Sequence, residues 1–332
     1  MNALRLTALF LATALALSAE TEDRIDKRFT VPSGGQLVVD VGLGSLEVTT
    51  HATNEVIVSA VRTVTRRAKA DEEAFLREHP VTLTQEGNTL TISSPRSPNN
   101  DRVSLWSLFG FGFSPRTNVK YTVTVPASFN VRLKTSGGGI VVSDLAGELH
   151  ANTSGGGLRF TRVHGSLDGH TSGGSVRVAD CEGDVKVATS GGGIEVTGGA
   201  GTLDGHTSGG SVTVKNFRGP ARVGTSGGGI TLENVAGKVS GSTSGGFISA
   251  RFSDPLSDEV KLSTSGGSVT LRVAENSAFN LDASTSGGGV SSDLPVTVSG
   301  KIARGRLSGP VNGGGPSVVL RSSGGSVHVK KL

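Results

Sequence analysis

A four-residue motif repeats along this chain at a fixed spacing. Thr-Ser-Gly-Gly or Ser-Ser-Gly-Gly occurs ten times between Thr135 and Gly325, and seven consecutive copies, from Thr135 to Thr243, begin 18 residues apart. Eighteen residues are too few for a pair of helices, and the units are rich in Val, Thr, Ser and Gly, which favour strands and turns. The repeat therefore predicts an all-β fold, a parallel β-solenoid (β-helix) of about ten 18-residue coils.

Positions counted from each repeat threonine keep the same character from coil to coil. The fifth residue after the threonine and the fourth before it are apolar, as in Ile140, Leu158 and Val176, and in Val131, Leu149 and Leu167. Side chains of a strand alternate between its two faces, so these columns are expected to face inward together with the threonines. The threonine hydroxyls can then bond to a neighbouring coil, while the serines face outward.

Glycine recurs at two places in each coil, which predicts two bends. One place is the Gly-Gly pair of the motif, and the other is a single glycine twelve residues after each regular threonine, from Gly147 to Gly237. Both are expected to use positive φ, which glycine adopts without a side-chain penalty. A phosphate-binding loop is not indicated, because such a loop occurs once and opens a helix.

The first residues have the features of a secretory signal peptide, assigned to 1–19. Arg5 precedes an apolar run from Leu6 to Leu17, and Ala19 supplies the small residue before Glu20. The mature chain is expected to be exported to the periplasm, the cell surface or the medium. No later stretch reaches the roughly 18 apolar residues that a membrane span needs.

The single cysteine, Cys181, lies in an apolar column and can form no disulfide within the chain.

Residues 20–130 differ from the repeats, and we expect them to form an N-terminal β-rich cap with the first strands, before solenoid repeats at 131–332. An exposed solenoid end would present unpaired strand edges, so a cap is expected on physical grounds. The expected elements are strands within 36–48 and 56–64, a helix within 66–78, a hairpin of 81–83 with 89–92, and a degenerate coil at 42–48. After Thr243 the motif spacing grows to 21, 21 and 37 residues, which predicts loops around 254–255 and 295–310.

An aromatic loop at 93–118 stands out in a chain with only 4% aromatic residues. It contains Trp106, Phe109, Phe111 and Phe113. Two interpretations stay open: a plug over the first coil, or an exposed patch that contacts a partner or, peripherally, a membrane surface.

The third residue before each threonine forms a column that is largely charged. Opposite charges on adjacent coils predict an outward ladder of ion pairs from Asp168 through Lys186 and Asp204 to Arg222. Asp168-Gly-His170 recurs as Asp204-Gly-His206, which adds two imidazoles to this candidate ladder.

The same face suggests an enzymatic alternative, a carbohydrate-active β-helix that acts as a polysaccharide hydrolase or lyase. Duplication of alternate coils explains the recurrence of Asp-Gly-His without chemistry, so no catalytic residue is assigned. We expect no metal site and no cofactor, since His170 and His206 would lie two coils, or about 9–10 Å, apart. Nucleic acid is not an expected partner, because the formal net charge of +4 comes from interspersed charges of both signs.

The chain resembles a bacterial putative-adhesin family, a domain of unknown function that forms an exported β-solenoid. The resemblance covers most of residues 30–332. The resemblance rests on the Thr-Ser-Gly-Gly series, the opening Val31-Pro-Ser-Gly-Gly-Gln-Leu-Val-Val-Asp-Val41, the predicted strand Tyr121-Thr-Val-Thr-Val-Pro126 and the ending from Gly313 to Val329. It implies a noncatalytic, adhesin-like module that contacts an envelope protein or glycan, with no active site to carry over.

Overall fold

The computed structural model describes residues 20–66, 68–95, 116–298 and 304–332, and nearly all of their secondary structure is strand. The N-terminal elements are β1 (Thr21–Thr30), β2 (Gln36–Val41), β3 (Ser45–His51), β4 (Glu55–Thr65), α1 (Lys69–Glu78), β5 (Thr82–Glu86), β6 (Thr89–Ser94) and β7 (Arg116–Pro126). The regular repeats hold β8 (Asn130–Lys134), β9 (Ile140–Ser143), β10 (Leu149–Thr153), β11 (Leu158–Thr161), β12 (Leu167–Thr171), β13 (Val176–Ala179), β14 (Glu182–Thr189), β15 (Ile194–Thr197), β16 (Ala200–Thr207), β17 (Val212–Lys215), β18 (Ala221–Thr225), β19 (Ile230–Glu233), β20 (Val239–Thr243) and β21 (Ile248–Phe252). The C-terminal strands are β22 (Val260–Thr264), β23 (Val269–Val273), β24 (Phe279–Thr285), β25 (Val290–Ser292), β26 (Arg306–Val311), β27 (Ser317–Ser322) and β28 (Val327–Lys331).

The strands form two 14-stranded sheets that face each other across the core. Sheet I, which holds the strands that follow each motif, has the order β1-β4-β7-β3-β9-β11-β13-β15-β17-β19-β21-β23-β28-β25. Sheet II, which holds the strands that lead into the motif, has the order β26-β24-β27-β22-β20-β18-β16-β14-β12-β10-β8-β2-β6-β5. Successive coils pair in parallel and in register, with Leu149 beside Leu167 and Thr153 beside Thr171. This architecture confirms the predicted β-solenoid and its β-rich N-terminal cap.

Apolar side chains from three sides fill the narrow core. Ile140 and Val176 of sheet I and Leu149 of sheet II are fully buried, as their columns predict. A short third side contributes the residue ten positions after each threonine, including Leu145, Val163 and Phe217. Cys181 belongs to this side and is only 2% exposed, and burial raises the pKa of its thiol. The predicted role of Cys181 as a small buried residue is confirmed.

The repeat threonines form a ladder of hydrogen bonds along the stack. Thr171 Oγ1 donates to the carbonyl oxygen of Gly156 in the preceding coil at 2.7 Å, and Thr189 Oγ1 donates to that of Gly174 at the same distance. Each hydroxyl also accepts from its own motif, as from the Gly174 N–H to Thr171 Oγ1 at 3.3 Å. Because the hydroxyl both donates and accepts, the threonine can be buried without an unsatisfied polar group. The predicted bonding between coils is confirmed.

The motif glycines serve a different purpose from the predicted one. The positive-φ residues of the described chain do not include the Gly-Gly pairs of the regular motifs. Instead, a Cβ atom on Gly174 would lie 2.0 Å from the carbonyl oxygen of Gly156, which no side chain could tolerate. Gly173 has more room, since its Cβ would lie 3.5 Å from the nearest atom, the oxygen of Gly155. The second glycine is therefore required by the close approach of stacked backbones.

Positive φ occurs at two other positions, one of which the sequence pattern did not predict. The predicted single glycines adopt it, as in Gly165 with φ of 138°. A further bend lies nine residues after each threonine and uses Asp144, Arg162, Asp180, Asn216 and Asn234, with φ between 50° and 63°. Asp and Asn tolerate this conformation better than most residues. Each regular coil thus turns three times rather than twice.

Spatial order departs from chain order at both ends of the solenoid. The β2/β3 coil packs directly on β8/β9, and the β6/β7 coil packs outside it. At the other end, β27 lies between β22 and β24, and β28 lies between β23 and β25. The last strands of the chain are therefore inserted beneath a coil that precedes them in sequence. Part of the predicted loop at 295–310 is strand β26, which pairs antiparallel with β24.

The N-terminal region contains the predicted helix and hairpin. β5 pairs antiparallel with β6 around Gly87, whose φ is 57°. The predicted degenerate coil is also present, because Leu46 pairs with Ile140 and Thr135 Oγ1 donates to the Gly44 oxygen at 2.9 Å. Strands β4 and β1 extend sheet I by antiparallel pairing beyond β7, at the N-terminal end of the stack. Among the described residues, no helix has the length and apolar character needed to cross a membrane.

Candidate functional site

A shallow depression of about 720 Å³ crosses the outer face of sheet II near the first coils; we call it the polar groove. Its polar side chains are Asp40, Arg132, Lys134, Asn152 and His170, together with the motif serines Ser136, Ser154, Ser172 and Ser190. The groove runs across five strands, from β2 to the end of β14. Five strands at about 4.8 Å spacing give it a length of roughly 19 Å.

Strand alternation and register place the groove side chains in one row. Asp40 pairs with Lys134, Lys134 with Asn152, and Asn152 with His170, each on the next strand of sheet II. The threonines that follow, Thr135, Thr153 and Thr171, are buried, so the residues just before them must point outward. Arg132 lies two residues before Lys134 on β8 and therefore on the same outer face. The row follows directly from the repeat.

The groove presents hydrogen-bond donors that the described protein does not use. Arg132, Lys134, Asn152 and His170 are exposed. Among the described residues, the side chains of Arg132 and Lys134 make no ion pair within 4.0 Å. Of the carboxylates nearby, Asp40 has an interaction of its own, and Asp168 Oδ2 lies 3.9 Å from His150 Nδ1, beyond hydrogen-bond distance. The groove thus offers two cations and a row of polar donors to solvent.

The predicted ladder has the expected register but not the expected ion pairs. Asp168 pairs with Lys186, Lys186 with Asp204, and Asp204 with Arg222 on successive strands. Within the described chain, however, contacts within 4.0 Å join Asp168 to His150 and Asp204 to His206, the latter at 2.7 Å from Oδ1 to Nδ1. The short aspartates reach a nearby imidazole, while Lys186 and Arg222 extend into solvent.

The two Asp-Gly-His triplets lie on strands β12 and β16, with β14 between them. Asp168 and Asp204 are therefore two strand spacings, or about 9–10 Å, apart, as are His170 and His206. His170 is exposed in the polar groove, whereas His206 contacts Asp204. In the part of the chain that the structure describes, no group of three or more His, Cys, Asp or Glu side chains could hold a metal ion.

The predicted aromatic contact residues, Trp106, Phe109, Phe111 and Phe113, lie outside the described residues. The structure does show an exposed aromatic residue that the sequence reasoning missed. Phe247 is 56% exposed and its ring packs over Gly229. The signal was available, because the position four residues after the motif threonine is otherwise Gly or Ser in the repeats. Lys134 and Asn152 were also missed, although they stand in the same column as His170.

Comparison with known proteins identifies a family. The family model described as Toastrack DUF4097 matches residues 43–330. No curated protein matches the chain.

Among solved structures, a putative adhesin from Parabacteroides distasonis ATCC 8503 is 12% identical, with 93% of this chain and 97% of that chain covered and a TM-score of 0.39. A putative cell adhesion protein from Clostridium sporogenes ATCC 15579 is 10% identical, with coverage of 95% and 100% and a TM-score of 0.25. A putative lipid binding protein from Parabacteroides distasonis ATCC 8503 is 14% identical, with coverage of 93% and 97% and a TM-score of 0.36.

Proposed function

Because the chain belongs to the Toastrack DUF4097 family, we propose that it is a noncatalytic, exported, adhesin-like β-solenoid that presents a repetitive surface to a protein or glycan of the cell envelope. The observation that carries the proposal is the polar groove, where one outward side chain per coil repeats at the strand spacing. A regular surface of this kind suits an extended partner, which can bind through the same contact on several coils. The signal-like sequence at 1–19 supports export.

The aromatic cluster supports a second contact on the same molecule. Trp and Phe are favoured in protein interfaces and at membrane surfaces, and Trp106, Phe109, Phe111 and Phe113 are concentrated in one segment of an aromatic-poor chain. We propose this cluster as a partner contact or a peripheral membrane contact. The segment joins β6 of sheet II to β7 of sheet I, which belong to the same coil.

Envelope binding tests the proposal. The mature chain, beginning at Glu20, is incubated with envelope fractions of the native host beside two variants. One is Trp106→Ala/Phe109→Ala/Phe111→Ala, and the control is Phe247→Ala, which removes an exposed aromatic ring elsewhere.

We expect the wild type and Phe247→Ala to be retained. Loss of retention in the triple variant alone would assign the contact to the aromatic cluster, and equal retention would assign it to the faces of the solenoid. A wild-type chain that stays in solution with every envelope fraction would overturn the proposed function.

A carbohydrate-active enzyme remains the alternative, and one contact favours it. His206 Nδ1 lies 2.7 Å from Asp204 Oδ1 on an exposed face, so a carboxylate and an imidazole are neighbours there, although Asp204 Oδ1 has no hydrogen-bond partner among the described residues. The alternative predicts products from a panel of polysaccharides, lost in Asp168→Ala or Asp204→Ala. The matched control is Asp184→Ala on strand β14 between them. Absence of turnover across the panel would leave the alternative without support.

A further inference from the structure

We propose that the polar groove binds an acidic glycan, a polysaccharide whose sugars carry carboxylate groups. This inference rests on the proposed function and names the ligand class of its groove.

The positive charge of the groove is the first argument. Arg132 and Lys134 point outward from the same strand, and both are exposed. Neither forms an ion pair with a described residue, while Asp40, the carboxylate among the described groove residues, has an interaction of its own. A guanidinium group presents parallel N–H donors that match a carboxylate in bidentate geometry. The groove therefore suits an anionic ligand such as a carboxylate.

The neutral polar side chains provide the second argument. Asn152 and His170 continue the row beyond Lys134, and the motif serines run alongside it. Hydroxyl, amide and imidazole groups both donate and accept, which suits the hydroxyl groups of a sugar. Among the described residues, no Phe, Tyr or Trp side chain lines the groove, and His170 contributes an imidazole ring. A neutral glycan that depends on stacking against a Phe, Tyr or Trp ring would find no such ring among these residues.

The shape of the groove provides the third argument. The row has one polar side chain on each of four successive strands, from Asp40 to His170, so it repeats at about 4.8 Å over roughly 14 Å. A polymer that lies along the stack can place successive sugars over successive coils, so that weak contacts add up through multivalency. A compact anion such as free phosphate would engage only the Arg132 end. Because the groove contains two cations in roughly 19 Å, it lacks the dense positive charge that a nucleic acid backbone requires.

The test compares three polymers with the mature chain: polygalacturonate, the same polymer after chemical reduction of its carboxyl groups, and double-stranded DNA. The groove variant is Arg132→Gln/Lys134→Gln. The control variant is Arg159→Gln/Arg251→Gln, which removes the same charge from exposed positions on sheet I. Circular dichroism and thermal unfolding establish that both variants fold as the wild type does.

We expect wild type and control to bind polygalacturonate, and the groove variant to bind it at least tenfold more weakly. Binding should weaken as salt rises and should be lost with the reduced polymer. Three results would overturn the inference: no binding of polygalacturonate by the wild type, equal weakening in both variants, or equally tight binding of DNA. Retention on envelope fractions is measured in parallel, so a chain that binds envelopes but not polygalacturonate refutes the ligand class and leaves the proposed function standing.

Discussion

The middle of the solenoid and its two ends are built by different rules. From β10 to β21, each strand pairs with the strands one coil before and one coil after it in the chain. At the ends, spatial order departs from chain order. The β2/β3 coil lies between β6/β7 and β8/β9, and the β27/β28 coil lies between β22/β23 and β24/β25. The antiparallel strands β1, β4, β5 and β26 extend the sheets. A repeat therefore specifies how the next coil is added but not where the stack ends. Termination needs local devices that shield parallel edges from further pairing.

The regular coils in the middle of the solenoid should be most sensitive to a methyl group added at the second motif glycine. In Gly174→Ala the new methyl group would lie 2.0 Å from the Gly156 oxygen, and the two backbones can only move apart by breaking the stack. We expect a loss of about 4 kcal/mol or more in the free energy of unfolding, measured by denaturant titration. The matched control is Gly173→Ala, where the nearest atom is 3.5 Å away, and its loss should stay below about 1 kcal/mol. Equal losses in the two variants would contradict the packing argument.

The second prediction tests the inserted coil at the C-terminal end. Leu320 of β27 is fully buried, so Leu320→Ala should cost about 2–4 kcal/mol. Because β27 lies beneath β24, hydrogen exchange should lose protection in β24 and β25, which precede the mutation in sequence. Protection in β18 and β20 should be retained. Unchanged protection in β24 and β25 would contradict the inserted arrangement.

The third prediction concerns the threonine ladder. Thr189→Val keeps the shape of the side chain but removes the donor to the Gly174 oxygen and the acceptor for the Gly192 N–H. The buried carbonyl then lacks a partner, which should cost about 1–2 kcal/mol in thermal unfolding. Ser190→Ala changes the exposed neighbour and should stay within about 0.5 kcal/mol. If the threonine hydrogen bonds contributed nothing to stability, the two variants would have the same melting temperature.

The smallest expected effect is a pH dependence confined to the C-terminal end. A hydrogen bond from Arg321 Nη2 of β27 to Asp282 Oδ2 of β24 lowers the pKa of that carboxyl below its ordinary value of 3.8. A carboxyl with a lowered folded-state pKa stabilises the protein above 3.8, and this stabilisation is lost as the pH falls through the lowered pKa. The two side chains are 38% and 34% exposed, so the contribution should be only about 0.5–1 kcal/mol.

Arg321→Met should therefore destabilise β24 by about 0.5–1 kcal/mol at about pH 5, and its difference from the wild type should disappear as the pH falls to about 2, measured by hydrogen exchange at both pH values. The control is Arg306→Met, because Arg306 lies 3.7 Å from the same carboxylate and is 67% exposed. Its effect should be smaller. Identical acid profiles for wild type and Arg321→Met would contradict the assigned role of the pair.

Sequence reasoning reached further into the fold than into the site. The 18-residue period was enough to place Ile140, Leu158 and Val176 in one buried column, since residues at equivalent positions stack. The predicted role of the motif glycines was wrong, because a positive φ and a close backbone contact both favour glycine and produce the same sequence pattern. In the site, it found His170 but passed over Lys134 and Asn152. Those residues share one column of the repeat with His170, whereas Asp40 joins the row only through the register of β2 against β8.

The repeat unit, its inward and outward faces, and the buried threonine column can be predicted from the chain alone, because periodicity and alternation are local properties. The folded structure was needed to show which coil lies next to which at the ends, why the second motif glycine is required, and which aspartates lie beside which imidazoles. These features depend on contacts between backbones and side chains that the order of residues leaves open. Both β27/β28 and β24/β25 satisfy the same pattern, and packing at the end of the stack selects their order.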